Sequence, residues 1–284
     1  MDVEHDVATV NGIRMHYVTR GAGPLLVLLH GYPQTWFMWR KLIGPLAAHH
    51  TVVAPDLRGY GLSDLPASGY DKRTMAADVH ELVRALGHER VTVVGHDRGA
   101  RVAHRYALDH PDEVDRVAVL DVVPTRAMFR STDHLLAARY WHWFFHLQPD
   151  LPELLVADRV EAYVRYLVLG WAHRREALEE ALPVYVEACS RPGAMRAGFD
   201  DYRAAFEVDL ADDDRSYDAG ERVRAPLLAL WGREGRIDQL PVLDIWRDYA
   251  HDVRGAGVAE CGHFLPEERP EPVLRALEEF LAQP

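Results

Sequence analysis

Val91-Thr92-Val93-Val94-Gly95-His96-Asp97-Arg98-Gly99-Ala100-Arg101 holds a buried strand, a tight turn and the start of a helix. An unbroken apolar run suits a strand covered on both faces, and this one passes directly into Gly-x-Asp-x-Gly. Glycines on either side of one polar residue are what a strained turn needs, because neighbouring side chains would clash as the turn forces the central residue outward. Asp97 is therefore expected at the tip of a strand-to-helix bend. Asp is also a good helix N-cap, and only partners elsewhere in the chain can argue for more than that plainer role.

Outward from this bend, short apolar runs alternate with longer amphipathic segments, the pattern of βαβ units. Strands are predicted at Leu25–His30, Thr51–Asp56, Val91–His96, Arg116–Val122, Pro226–Trp231 and Val253–Ala259, and helices near Trp36–His49, Lys72–Leu86, Gly99–Asp109 and Glu271–Leu281. His5–Val10 and Ile13–Val18 flank Asn11-Gly12, a strong hairpin signal. From Thr125 to Asp209 the strand signal vanishes and the chain turns aromatic and helical. The expected architecture is α/β: a mostly parallel, doubly wound, eight-stranded sheet of the α/β-hydrolase fold, with core residues 1–124 and 210–284 and an inserted helical cap at 125–209. In that fold the G-x-nucleophile-x-G bend usually carries Ser; here it carries Asp97. The run Asp212-Asp213-Asp214 reads as a solvated return linker.

A carboxylate nucleophile attacks an sp³ carbon, expels a leaving group and becomes an alkyl ester, which water must then cleave. The oxyanion donors are expected to be the backbone N–H groups of Tyr32, in His30-Gly31-Tyr32-Pro33, and of Arg98. Cys261-Gly262-His263-Phe264 follows the last predicted strand, where the chain order of such sites puts the catalytic histidine. The acid that orients His263 is open between two positions. The site after Leu230-Trp231-Gly232 has Gly235 where Asp would be expected and Asp238 three residues late, whereas Asp121 ends the strand beside the nucleophile's; Asp121 is preferred. Arg98 and Arg101 put cations in the first helical turn, against the macrodipole. Their forks suit a substrate carboxylate, although pairing with Asp97 or surface acids would explain them too.

With 32 basic against 44 acidic residues the net charge is −12, which disfavours nucleic acid or an anionic membrane as partner. The first ten residues lack a leader's basic-then-apolar pattern and no apolar run is long enough to span a membrane, so a cytoplasmic protein is expected. Cys189 and Cys261 match neither a metal knuckle nor a redox pair. No metal or cofactor is expected.

Gly95-His96-Asp97-Arg98-Gly99-Ala100-Arg101, His30-Gly31-Tyr32-Pro33-Gln34-Thr35, Tyr140-Trp141-His142-Trp143 and Gly262-His263-Phe264-Leu265-Pro266-Glu267-Glu268 together resemble the haloacetate dehalogenases, particularly fluoroacetate dehalogenase, over nearly the whole chain. The resemblance implies Asp97 as nucleophile, His263 as base, Asp121 as its partner, Arg98 and Arg101 on the substrate carboxylate, and His142, Trp143 and Tyr202 on the departing halide. It also implies a small haloacid substrate and a homodimer. Trp171 is a further candidate for the pocket wall. Tyr32 stands where Phe is expected in such proteins. Two other enzymes share an Asp nucleophile: epoxide hydrolases, which would need two cap tyrosines (Tyr202 with Tyr140, Tyr163 or Tyr166), and haloalkane dehalogenases, whose neutral substrates have no use for two arginines. A non-catalytic binding protein of the same fold need not keep a base.

Overall fold

The apolar runs become the strands β1 (Glu4–Val10), β2 (Ile13–Arg20), β3 (Leu25–Leu29), β4 (Thr51–Pro55), β5 (Val91–His96), β6 (Val114–Leu120), β7 (Leu227–Gly232) and β8 (Val253–Val258). In the computed structural model, which describes residues 2–283, they form one sheet in the order β1-β2-β4-β3-β5-β6-β7-β8. The β1–β2 hairpin and the β2–β4 pair are antiparallel, and the other neighbours are parallel. β3 and β5 are buried along their whole length, each interior Val or Leu contributing roughly 1.5–3 kcal/mol through removal from water.

The chain order reverses at β3: β4 lies on one side of it and β5 on the other. Such a switch point opens a crevice at the carboxyl ends of the strands. Register decides what faces it. Leu29 pairs with Gly95, His96 with Leu120, and Leu120 with Leu230, so the loops leaving β3, β5, β6 and β7 begin at one level, and Tyr32, Asp97 and Asp121 emerge together.

Between β6 and β7 every element is helical. Helices Thr125–Arg130, His134–Arg139, Trp141–His146, Leu151–Val156, Val160–Trp171, Leu182–Cys189 and Ala194–Ala204 precede a π-turn at Ala205–Asp209, which runs unbroken into helix Leu210–Asp218. Two expectations need correction. β6 ends at Leu120, so Asp121 stands just past the strand with φ 51° and is free to turn into the crevice. Asp212-Asp213-Asp214 is not a solvated linker: Asp212 and Asp213 are buried in the last of these helices, Asp212 pairing with Arg73 and Arg215 and Asp213 accepting the Arg126 backbone N–H.

Candidate active site

Three glycines make the elbow possible. A β-carbon on Gly95 would lie 2.5 Å from Ala100 Cα, one on Gly99 2.3 Å from the His30 carbonyl, and one on Gly31 2.5 Å from Asp97 Cβ. Neither backbone nor a β-carbon fixed to it can yield at such distances, so the pattern Gly-x-Asp-x-Gly and the His30-Gly31 exit of β3 are parts of one packing arrangement. Asp97 itself takes φ 49° and ψ −117°, a conformation that costs a non-glycine residue about 1–3 kcal/mol. It makes no side-chain cap to the helix Arg98–Asp109 that it precedes, which removes the plain N-cap explanation.

Instead the carboxylate faces two partners. Its Oδ1 accepts the Tyr32 backbone N–H at 3.0 Å, and its Oδ2 lies 3.8 Å from His263 Nε2. That gap admits a water hydrogen-bonded to both atoms, since two contacts of ordinary length can span it. His263 Nδ1 is 2.7 Å from Asp121 Oδ2. Because an ionised carboxylate can only accept, Nδ1 carries the proton and Nε2 offers its lone pair toward Asp97. Burial opposes charge on this imidazole, but the bond and charge of Asp121, joined by the charge of Asp97, outweigh it and raise the His263 pKa above its ordinary value. Asp121 is fixed in turn by the Gly232 N–H on its Oδ1 at 3.0 Å. Asp238 is not the orienting acid here, since its carboxylate accepts the Trp231 indole N–H at 2.8 Å.

The loop carrying His263 is held by Glu268, a residue of the same motif whose role its sequence context does not disclose. Glu268 accepts the backbone N–H groups of Gly262, Phe264, His173 and Arg174, and the His263 backbone N–H bonds to the Trp171 carbonyl at 3.1 Å.

The two elbow arginines depart from expectation. Arg98 is fully buried and gives Nε and Nη2 to Asp201, an acid that Lys72 and Tyr60 also hold. The counter-charge demanded by a cation at this helix start is thus supplied by the protein, which the sequence did not reveal. Arg98 Nη1 and Arg101 Nε remain buried without partners; Arg101 gives Nη1 to Thr125 and packs over Trp143 with its guanidinium carbon 4.7 Å from the ring centroid. Burial and the neighbouring Arg98 bring the Arg101 pKa down to about 10.

Asp97 and His263 open into a cavity of about 20 Å³ lined also by Tyr140, His142, Trp143, Trp171 and Arg236. Burial holds the His142 pKa well below its usual value, so this ring is neutral and carries a single N–H. Tyr202 packs edge-on against Trp143 and His142, at 5.9 and 5.8 Å between centroids. Of the other tyrosines considered, Tyr163 is engaged with His146 and Tyr166 is exposed; Tyr140 alone lines the cavity. Arg236 had not been anticipated, because nothing local in Arg233-Glu234-Gly235-Arg236 distinguishes it from a surface cation.

Among the described residues, one group could supply metal ligands, His80, His110 and Glu113. It precedes β6, at the opposite end of the sheet, and its imidazoles stack in parallel at 4.1 Å and 5°, so their in-plane lone pairs do not converge on one point. No helix among the described residues is long and apolar enough to cross a membrane.

Comparison with known proteins agrees with this fold. The family model for the alpha/beta hydrolase fold matches residues 24–270. The chain is 39% identical to a soluble epoxide hydrolase of a Corynebacterium species, over 99% of this chain and 98% of that one. It is 38% identical to a fluoroacetate dehalogenase of a Burkholderia species, over 98% and 94% respectively. The crystal structure of ALR0039 from Nostoc sp PCC 7120 superposes with a TM-score of 0.96 at 44% identity, over 100% of this chain and 99% of that one.

Proposed function

This chain belongs to the α/β-hydrolase fold family, and from that premise we propose that it hydrolyses the carbon–halogen bond of a short 2-haloacid, such as fluoroacetate or chloroacetate, to glycolate and halide. Asp97 Oδ2 bonds to the halogen-bearing carbon as the halide departs with the electron pair of its bond, leaving an ester on the enzyme. His263 takes a proton from a water whose oxygen adds to Asp97 Cγ, and negative charge collects on Oδ1 beside the Tyr32 N–H, with the Arg98 N–H as the second donor. Collapse returns that proton to the departing glycolate oxygen and leaves Asp97 as the free acid, which gives up the second proton of the water to solvent and so becomes a carboxylate again. His142, Trp143 and Tyr202 supply uncharged N–H and O–H donors to the halide.

The observation that carries this reading is the cavity. His142 and Trp143 share its wall with Asp97 and Arg236, and imidazole and indole N–H groups beside a carboxylate and a cation are a combination fitted to a small anion with a poor leaving group. A second reading is favoured by one observation: Tyr140 shares the cavity and Tyr202 lies just behind it, the pair an epoxide hydrolase would use to protonate an epoxide oxygen. Halide release from fluoroacetate and chloroacetate, run beside hydrolysis of styrene oxide, separates the two. Halide release without diol is expected; diol without halide would select the second reading.

The raised His263 pKa gives a further expected result. One of its causes is the charge of Asp97, which disappears when Asp97 is esterified. Only neutral His263 can act as a base, so ester hydrolysis rises with pH and levels off once the imidazole is deprotonated. The midpoint for ester hydrolysis, measured in single-turnover experiments, should lie below the His263 pKa of the free enzyme measured by NMR titration. Equal midpoints would mean that no charge is lost at Asp97 during turnover.

A further inference from the structure

The loop after β7, where the orienting acid of this fold is usual, has been given over to something else. A β-carbon on Gly235 would sit 3.4 Å from Asp121 Oδ1, so an acid there would press its charge against the acid that already holds His263. The next residue, Arg236, turns into the cavity beside Asp97, His142 and His263. It has no ion-pair partner among the described residues. Its Nη1 donates to the Arg139 carbonyl at 2.7 Å, and its guanidinium carbon lies 5.3 Å from the Trp171 ring centroid and 5.7 Å from that of Tyr140. A backbone oxygen and two ring faces orient this cation without neutralising it, and burial is the main influence pulling its pKa below the usual value.

Neither elbow arginine lines this cavity. Arg98 is committed to Asp201, and Arg101 borders a separate polar cleft with Lys72, Asp209 and Asp213. Arg236 is the cation that reaches the wall of the cavity containing the nucleophile.

We infer that Arg236 is a specificity-determining residue: its guanidinium contacts the carboxylate of the substrate in the cavity and sets the preference for anionic over neutral substrates. This rests on the haloacid reading. The free edge of a guanidinium matches a carboxylate in shape as well as charge, and the bound anion completes the ion pair that the fold leaves open.

The test compares the wild type with Arg236→Gln and Arg236→Lys on chloroacetate and on chloroacetamide, its neutral counterpart. For Arg236→Gln, KM for chloroacetate should rise at least about tenfold, the usual scale for losing a charge-assisted bond, while KM for chloroacetamide stays within about twofold; Arg236→Lys should fall between. Equal changes on the two substrates, or none, would overturn the inference. Calorimetric titration of the same proteins with acetate reads the contact without turnover. If the wild type releases no halide, the haloacid reading fails, and acetate affinity still decides the role of Arg236: about tenfold weaker binding in Arg236→Gln supports it, and unchanged binding, or no binding to the wild type, rejects it.

Discussion

Asp97→Asn should lower halide release by on the order of 10⁴–10⁶-fold, the scale on which removal of a covalent nucleophile acts, while leaving the protein folded. The substitution is nearly isosteric. The amide oxygen can keep the Tyr32 N–H bond that Oδ1 now accepts at 3.0 Å, and the amide nitrogen would stand where Oδ2 faces the lone pair of His263 Nε2 at 3.8 Å. The strained turn at φ 49° is set by backbone packing around Gly31, Gly95 and Gly99, and Asn tolerates positive φ about as well as Asp. Thermal stability should therefore change little while activity collapses. Ion chromatography of released halide measures the loss. Asp97→Ala guards against recovery through hydrolysis of the new amide, because alanine offers nothing to hydrolyse. The same chemistry fixes the oxygen balance: in one turnover with excess wild-type enzyme in ¹⁸O-water, label should appear in Asp97 and not in glycolate. Halide release surviving in both variants, or label entering glycolate first, would mean that water attacks the substrate directly.

What the sequence disclosed and what it withheld divide along physical lines. The elbow was legible because its cause is local: each glycine is required by a backbone atom only a few residues away or on the adjoining strand, and Gly-x-Asp-x-Gly between an apolar run and a helix has few other uses. Asp121 could be preferred over Asp238 because adjacency of strands in a βαβ sheet follows from chain order, and the register of Leu120 against Leu230 then supplies the reach. The elbow arginines were harder. The macrodipole argument correctly required a counter-charge at that helix start, but Asp201 lies 103 residues away from Arg98 along the chain, and a helical cap segment gives no sign of which acid it turns inward. The same limit hid the burial of Asp212 and Asp213, since acidic runs are far more often solvated than packed. Arg236 lay furthest from view: its importance depends on which side of a loop faces a cavity, and no periodicity encodes that. Tyr140, Tyr163 and Tyr166 show the limit within one region, where helical spacing identified an aromatic cap but only the folded chain separated a tyrosine on the cavity from one tied to His146 and one in solvent.

His263→Gln should separate the two halves of the reaction. Attack by Asp97 on carbon needs no base, so the first halide should still be released; hydrolysis of the ester needs a proton acceptor beside the water, and that step should slow by roughly 10²–10⁴-fold. Glutamine is the informative replacement because its amide can donate to Asp121 as Nδ1 does now at 2.7 Å, so the buried acid keeps a partner and the fold is spared an unpaired charge. The expected time course is a burst of one halide per protein followed by very slow release. Mass spectrometry of the quenched variant should find a carboxymethyl group on the peptide containing Asp97. Loss of the burst together with the steady state, with Asp97 unmodified, would place His263 in the first step instead, as the activator of a water that displaces halide with no covalent intermediate. A burst with the adduct on Asp97 leaves no such alternative, because an ester can accumulate only where the carboxylate has bonded to carbon and the group that should release it has been removed.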